Sequence, residues 1–323
     1  MISRRSFLGG AGAAVVAGCG NGPALPLSSE NYRWSKLIAA GPFRKNYNFP
    51  VHVAPDGRFM LLQAESCWSS RDAVQWRRQS LPPSGSNTAY MQTIFHDGAT
   101  WAIGRHQGNY LDFTIEPIIQ RTPNWENWEQ LGHASSLPKL IFAASTSFNR
   151  WMWMIGGYRR GGAVAEVWRS RDALHWEQLP PPPWRPRAAA KAIVFRGRLL
   201  VIGGGEVDGP ASNDVWSTDD GKTWRRDCPQ IAPEQPVGFA PQVFDDRLWL
   251  VGANRSGSFQ SEMLVSDDAQ NWQPVRAPWS ARGGVATWVH ENRMFLTGGK
   301  HSHVERGETV FVYSNDVWAM TRA

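Results

Sequence analysis

Short apolar runs, rather than helical stripes, set the pattern of this chain. Leu199-Leu200-Val201-Ile202 is apolar at every position, which suits a strand covered on both faces. Tight-turn pairs precede such runs: Asp56-Gly57, Asn149-Arg150, Arg196-Gly197, Asp245-Asp246 and Glu291-Asn292, with Asp97-Gly98 a weaker case. Most runs end in glycine, at Gly156-Gly157, Gly203-Gly204, Gly252 and Gly298-Gly299, with Gly104 less clear. A turn pair before an apolar run predicts a hairpin, and glycine after it lets the backbone turn where neighbouring units crowd together. One unit therefore reads as four strands: 188–195, 199–202, 213–217, and a fourth that begins at Trp224.

The unit recurs. Ser28-Ser29-Glu30 leads to Trp34, Ser70-Arg71-Asp72 to Trp76, Thr122-Pro123-Asn124 to Trp128, and Ser170-Arg171-Asp172 to Trp176. Ser217-Thr218-Asp219 leads to Trp224, one residue longer than the rest, and Ser266-Asp267-Asp268 leads to Trp272. The Trp positions step by 42, 52, 48, 48 and 48, a period in the range of β-propellers. A further Trp is due near 320, but the chain stops at 323, so the last unit lacks its fourth strand. The segment from Ser28 to Ile38 holds a fourth strand without the first three. Trp34-Ser35-Lys36-Leu37 is expected to complete the last unit as its outer strand and to close a six-bladed, all-β ring.

Composition agrees with one repetitive domain. Of 323 residues, 42% are hydrophobic and 19% charged, which excludes a disordered chain. The 18 Trp are then a signature of the repeat, most of them scaffold.

The chain resembles the kelch class of propeller, in particular exported bacterial kelch proteins loosely described as galactose-oxidase-like. Gly-Gly followed by Asn213-Asp214-Val215-Trp216 and by Asn315-Asp316-Val317-Trp318 carries the resemblance, as do Pro183-Trp184-Arg185-Pro186-Arg187 and Pro278-Trp279-Ser280-Ala281-Arg282. It covers about 28–323 and is strongest in the last four units. Ser217-Thr218-Asp219-Asp220-Gly221-Lys222-Thr223-Trp224 also matches the Asp-box of sialidases. That turn is expected to brace strands three and four, because it recurs in every unit whereas a site occurs once.

The first residues read as an address. Ser3-Arg4-Arg5-Ser6-Phe7-Leu8 and the Gly/Ala/Val run after it resemble a twin-arginine export signal. Val16-Ala17-Gly18-Cys19 resembles a lipobox, which makes Cys19 the lipidation site. The expected organisation is a signal over 1–18, a linker over 19–27 and the propeller over 28–323. The protein would be periplasmic and lipid-anchored, and Gly20 after the Cys leans toward the outer membrane. Loss of Arg4 and Arg5 lowers the net charge from +6 to +4, and no dense basic stripe points to nucleic acid. Cys67 takes a Val slot and reads as an inert core thiol; a Cys67–Cys228 disulfide is not expected.

Candidate chemistry sits on the second-to-third strand connections and the inter-unit loops, which usually bind ligands in such folds. These bring Arg105, His106, Tyr110, Tyr158, Arg159, Glu206, Asp208, Arg255, His301 and His303. Arg187 and Arg282 start first strands; they either converge on an acidic ligand or stack on Trp184 and Trp279. Tyr47, Tyr90, Tyr110 and Tyr158 are candidates for stacking on sugar rings. Glu206 with Asp208 is a possible carboxylate pair, and His301-x-His303 offers two positions of a metal site, although no Cys or carboxylate repeats the spacing. The chain has no adjacent Tyr-His pair of the galactose-oxidase kind.

The expected function is a non-catalytic, monomeric binding propeller for a glycan or an envelope protein, with no cofactor. The alternative is a carbohydrate-active enzyme on an acidic sugar, sialidase- or sialate-epimerase-like. A third is a cofactor-bearing protein, since twin-arginine export handles folded substrates.

Overall fold

A computed structural model describes residues 31–81, 92–109, 111–206, 209–255 and 258–323, with the backbone alone at 255. The signal over 1–18, Cys19, the linker, Tyr90, Tyr110 and Asp208 lie outside the described residues. Among those described there is no α-helix. The described residues are all-β, and their strands pair antiparallel throughout.

Six sheets follow one plan. The first holds Val51–Val53, Phe59–Gln63, Ser66–Ser70 and Arg77–Gln79, hydrogen-bonded in chain order. The second holds Gln92–His96, Ala99–Gly108, Phe113–Thr122 and Glu129–His133. The third holds Ala144–Phe148, Trp151–Ile155, Val167–Ser170 and Glu177–Gln178. The fourth holds Lys191–Phe195, Arg198–Ile202, Val215–Thr218 and Arg225–Cys228. The fifth holds Ala240–Phe244, Arg247–Val251, Glu262–Ser266 and Gln273–Arg276. The last holds Gly283–His290, Arg293–Glu305 and Val317–Arg322, with Glu308–Tyr313 beside its second strand. Its fourth member is the strand Tyr32–Ile38, which pairs with Val317–Arg322 from Tyr32 opposite Arg322 to Ile38 opposite Val317.

Second strands are the most buried, as their apolar runs predict. Leu199, Leu200, Val201 and Ile202 are each at most 2% exposed. Asn149-Arg150, Arg196-Gly197, Asp245-Asp246 and Glu291-Asn292 have positive φ at both residues, the geometry of two-residue hairpins. At the other end, Gly156, Gly203, Gly252 and Gly298 all have φ between 59° and 70°. A Cβ on Gly156 would lie 2.5 Å from the Arg187 carbonyl at the entrance to the next sheet, so crowding between units requires glycine there.

Five aspartate-type turns are described, and they are braces. In the first sheet Ser70 Oγ accepts from the Ala73 N–H at 2.9 Å, Asp72 Oδ1 accepts from Val74 and Gln75 N–H at 2.8 Å, and Trp76 Nε1 donates to the Ala73 carbonyl. The fourth-sheet turn corrects the expected register. Its hydroxyl is Thr218 and its carboxylate Asp220, each bonding the turn N–H groups at 2.8 Å. Ser217 is buried in the strand, and Asp219 faces out toward Arg198 at 3.6 Å. Thr218 to Trp224 then has the same spacing as Ser70 to Trp76, so that unit is not longer, and the Asp-box alignment through Ser217 and Asp219 does not describe the contacts. Cys67 is a free, buried thiol in the first sheet, as its Val-like position predicts, and burial pushes its pKa up to about 12.

Candidate functional site

Several expected loops are strands. Arg105 and His106 lie on Ala99–Gly108, which extends with Phe113–Thr122 as a long hairpin. His301 and His303 lie on Arg293–Glu305, paired with Glu308–Tyr313 as a second long hairpin. Period-two alternation puts these two histidines on one side of their strand. His303 approaches Glu305 at 3.8 Å. Burial, with Arg282 and His303 nearby, lowers the His301 pKa. Among the described residues, no three His, Cys, Asp or Glu side chains gather closely enough to hold a metal ion.

Arg187 and Arg282 do not share a pocket. Arg187 is 2% exposed, and its guanidinium donates to both Asp214 oxygens, at 2.8 and 3.3 Å, and to the Gly203 carbonyl. Arg282, also 2% exposed, donates to both Asp316 oxygens, at 2.5 and 3.1 Å, and to the Gly298 carbonyl. Each pair joins the start of a first strand to the start of the third strand in the same sheet. The carboxylates also accept the indole N–H two residues on, from Trp216 at 2.9 Å and from Trp318 at 2.8 Å. The third sheet builds the same relay differently: Glu166 accepts from Trp168 at 2.9 Å and from Arg159 of the second-to-third strand connection. Trp184 does lie under Arg187, 5.3 Å from the ring centre, so stacking is present but secondary to the ion pair.

The remaining candidates fall into three groups. Arg105 and His106 lie on the second sheet and Tyr158 and Arg159 on the third-sheet connection; of the four, Arg159 lines the groove between these sheets. Arg105 pairs with Glu116 at 3.1 Å, and His106, 3% exposed with its pKa lowered by burial, packs on Phe113. Tyr158 exchanges backbone hydrogen bonds with Ile141. Arg160, one residue past Arg159, reaches back to Asp112 and the Phe113 carbonyl. Between them opens a groove of about 620 Å³, lined by Phe113, Pro138, Lys139, Arg159, Arg160 and Trp168 among others. Glu206 stands exposed on the fourth-sheet connection, without its expected partner among the described residues. The backbone of Arg255 pairs with Pro236 and Ser258 in a small accessory sheet beside the fifth.

Two features go beyond the sequence expectations. One is an aromatic and cationic cluster in which Tyr47, a stacking candidate from the sequence, meets the last hairpin. Tyr47 packs on Tyr313 at 5.6 Å, and Lys300 lies 4.4 Å over Tyr47 and 4.7 Å over the exposed Phe311. The other is a central cavity of about 410 Å³ lined by the first strands of all six sheets. Its walls carry Lys191, Gln92, Gln242, Thr93, Ser145 and Thr287. Only their joint position, not their spacing, marks these residues out.

No family model matches the chain, and no curated protein is similar enough to be matched. Among solved structures, that of YjhT is similar, with a TM-score of 0.68 at 13% identity. The match covers 88% of this chain and 97% of YjhT. The likeness supports a propeller-type fold, in agreement with the all-β sheet plan.

Proposed function

We propose that this propeller-type chain is a closed six-bladed ring of the kelch kind that works as a binding module for an acidic glycan. The ring reading rests on the central cavity, to which all six first strands contribute, and on the pairing of Tyr32–Ile38 with Val317–Arg322. The observation that carries the binding reading is the groove between the second and third sheets. It combines three cations, Lys139, Arg159 and Arg160, with the side chains of Phe113, Trp168 and Pro138. Arg159 and Arg160 have carboxylate partners, whereas Lys139 is exposed and forms no ion pair among the described residues. Aromatic faces suit sugar rings, and guanidinium and ammonium groups suit their carboxylates or sulfates.

The enzyme reading on acidic sugars loses its main residues, since Arg187 and Arg282 each spend their donors inside a sheet. The proposal includes export and lipid anchoring at Cys19, which rest on the Arg4-Arg5 and Val16-Ala17-Gly18-Cys19 patterns alone. It predicts that Cys19→Ala moves the protein from the membrane fraction to the soluble one.

Calorimetric titration with acidic and matched neutral oligosaccharides tests the groove. The acidic set is expected to bind, and Lys139→Ala with Arg160→Ala to weaken it at least tenfold. Equal binding by that variant, or no preference for acidic sugars, would overturn the reading.

A further inference from the structure

The central cavity has its own electrostatic character, independent of the groove. Among the residues that line it, Lys191 is the single charged side chain; there is no Asp or Glu. Lys191 makes no ion pair or hydrogen bond among the described residues, and burial alone acts on its ammonium there.

Strand register shows what stands level with it. Lys191 lies opposite Ile202, the residue before Gly203. Gln92 lies opposite Ile103, the residue before Gly104, and so occupies the same level in the second sheet. Gln92 is 8% exposed, lines the cavity, and its carboxamide has no hydrogen-bond partner among the described residues. Ala144, Ala240 and Ala286 fill this level in three other sheets, opposite Ile155, Val251 and Thr297. These small side chains leave space in front of the ammonium and the amide. One residue further along the strands, Thr93, Ser145 and Thr287 bring hydroxyl groups to the wall, that of Thr93 bonded to His52 at 2.8 Å and that of Thr287 accepting from Gln242 at 3.0 Å.

An unpaired cation, an unpartnered buried amide and a tier of hydroxyls on a wall without carboxylates form a receptor for one negative charge. We propose that the central cavity binds a small organic carboxylate, held by the Lys191 ammonium and the Gln92 carboxamide. Ammonium and amide N–H groups donate to the carboxylate oxygens, and the hydroxyl tier meets the rest of the molecule. Burial lowers the Lys191 pKa, as expected for a cation whose counter-ion arrives with the ligand. About 410 Å³ lies within the size range of small-molecule sites.

Calorimetry of the full chain with acetate and gluconate, against acetamide, chloride and phosphate at fixed ionic strength, tests this. One carboxylate per chain is expected to bind at submillimolar concentration, with acetamide silent. Lys191→Met is expected to weaken it at least tenfold, while the surface variant Lys222→Met binds as wild type. No carboxylate binding, equal binding by Lys191→Met, or equal binding of chloride and phosphate would overturn the proposal. If Lys191→Met does not fold, the wild-type protein with ¹³C-methylated lysines supplies the second measurement. The Lys191 resonance must move on adding carboxylate and stay still with acetamide; a Lys191 resonance unmoved by carboxylate overturns the proposal. Lys139→Ala with Arg160→Ala should keep this binding, which separates it from failure of the groove.

Discussion

Arg187 and Asp214 meet in a two-pronged ion pair, 2.8 and 3.3 Å, where the arginine is 2% and the aspartate 7% exposed. Removing one partner of such a pair leaves a buried charge alone, which costs about 3–5 kcal/mol. Arg187→Ala should therefore lower the urea midpoint sharply. Arg187→Met with Asp214→Leu should recover much of the loss. An Arg187→Ala protein as stable as wild type would mean that the pair does not hold the sheet.

Asp316 predicts how the fold responds to acid. Burial alone would raise its pKa, but hydrogen bonds from Arg282 and Trp318 outweigh burial and hold it below the usual carboxylate value. A depressed carboxylate stabilises the fold above its unfolded pKa, about 3.9, and loses that contribution as pH falls through the folded value. The brace aspartates Asp72, Asp172, Asp220 and Asp268 are shifted the same way by the N–H groups they accept. Stability should fall steeply below about pH 4, and Asp316→Asn should be destabilised at pH 7 with a shallower acid limb. Circular dichroism against pH measures both.

His52 acts in a higher window. Its Nε2 lies 2.8 Å from Thr93 Oγ1, linking the first strands of the first and second sheets, and burial lowers its pKa to about 4. Between that value and about 6.5 the unfolded chain binds a proton that the folded chain does not, so stability is lost as pH falls. His52→Gln should flatten the pH dependence of stability between pH 6.5 and 4. A His52 resonance that titrates near 6.5 by NMR in the folded protein would refute this.

Gly221 and Ala173 hold the same left-handed place in their turns, at φ 75° and 56°. The space around them differs. A Cβ on Gly221 would come within 2.3 Å of the Trp153 ring, which is 1% exposed. Gly221→Ala should cost about 1–3 kcal/mol through overpacking. Gly introduced at Ala173 should change stability by less than that, since it relieves the backbone while losing one methyl. Paired denaturation curves decide the order.

The sheet plan was legible because period, turn pairs and apolar runs are local properties, and Ser70-Arg71-Asp72 with Trp76 carries its own brace. The fourth turn was misread by one residue because Ser217 and Thr218 are both hydroxyls, and only the strand register says which one faces the turn. Asp214-Val215-Trp216 and Arg187 were both visible, but not their pairing, since the contact spans two strands. The hairpins bearing His106 and His301 passed for loops because their polar tips hide the alternation. Lys191 and Gln92 gave no signal, because a cavity shared by six strands has no sequence period of its own.

The pairing of Tyr32–Ile38 with Val317–Arg322 has a consequence for synthesis. At translation rates of about 5–20 residues per second, the early strand waits on the order of 15–60 s for its partner to be made. Until then the last sheet lacks the strand on which Tyr32–Ile38 pairs, while Asp245 and Arg247, whose side chains bond the Tyr32 hydroxyl, are made about 70 residues earlier. The nascent chain thus carries a strand-forming, aromatic segment without its partner through most of its own production, and the last sheet cannot be completed before the end of the chain is made.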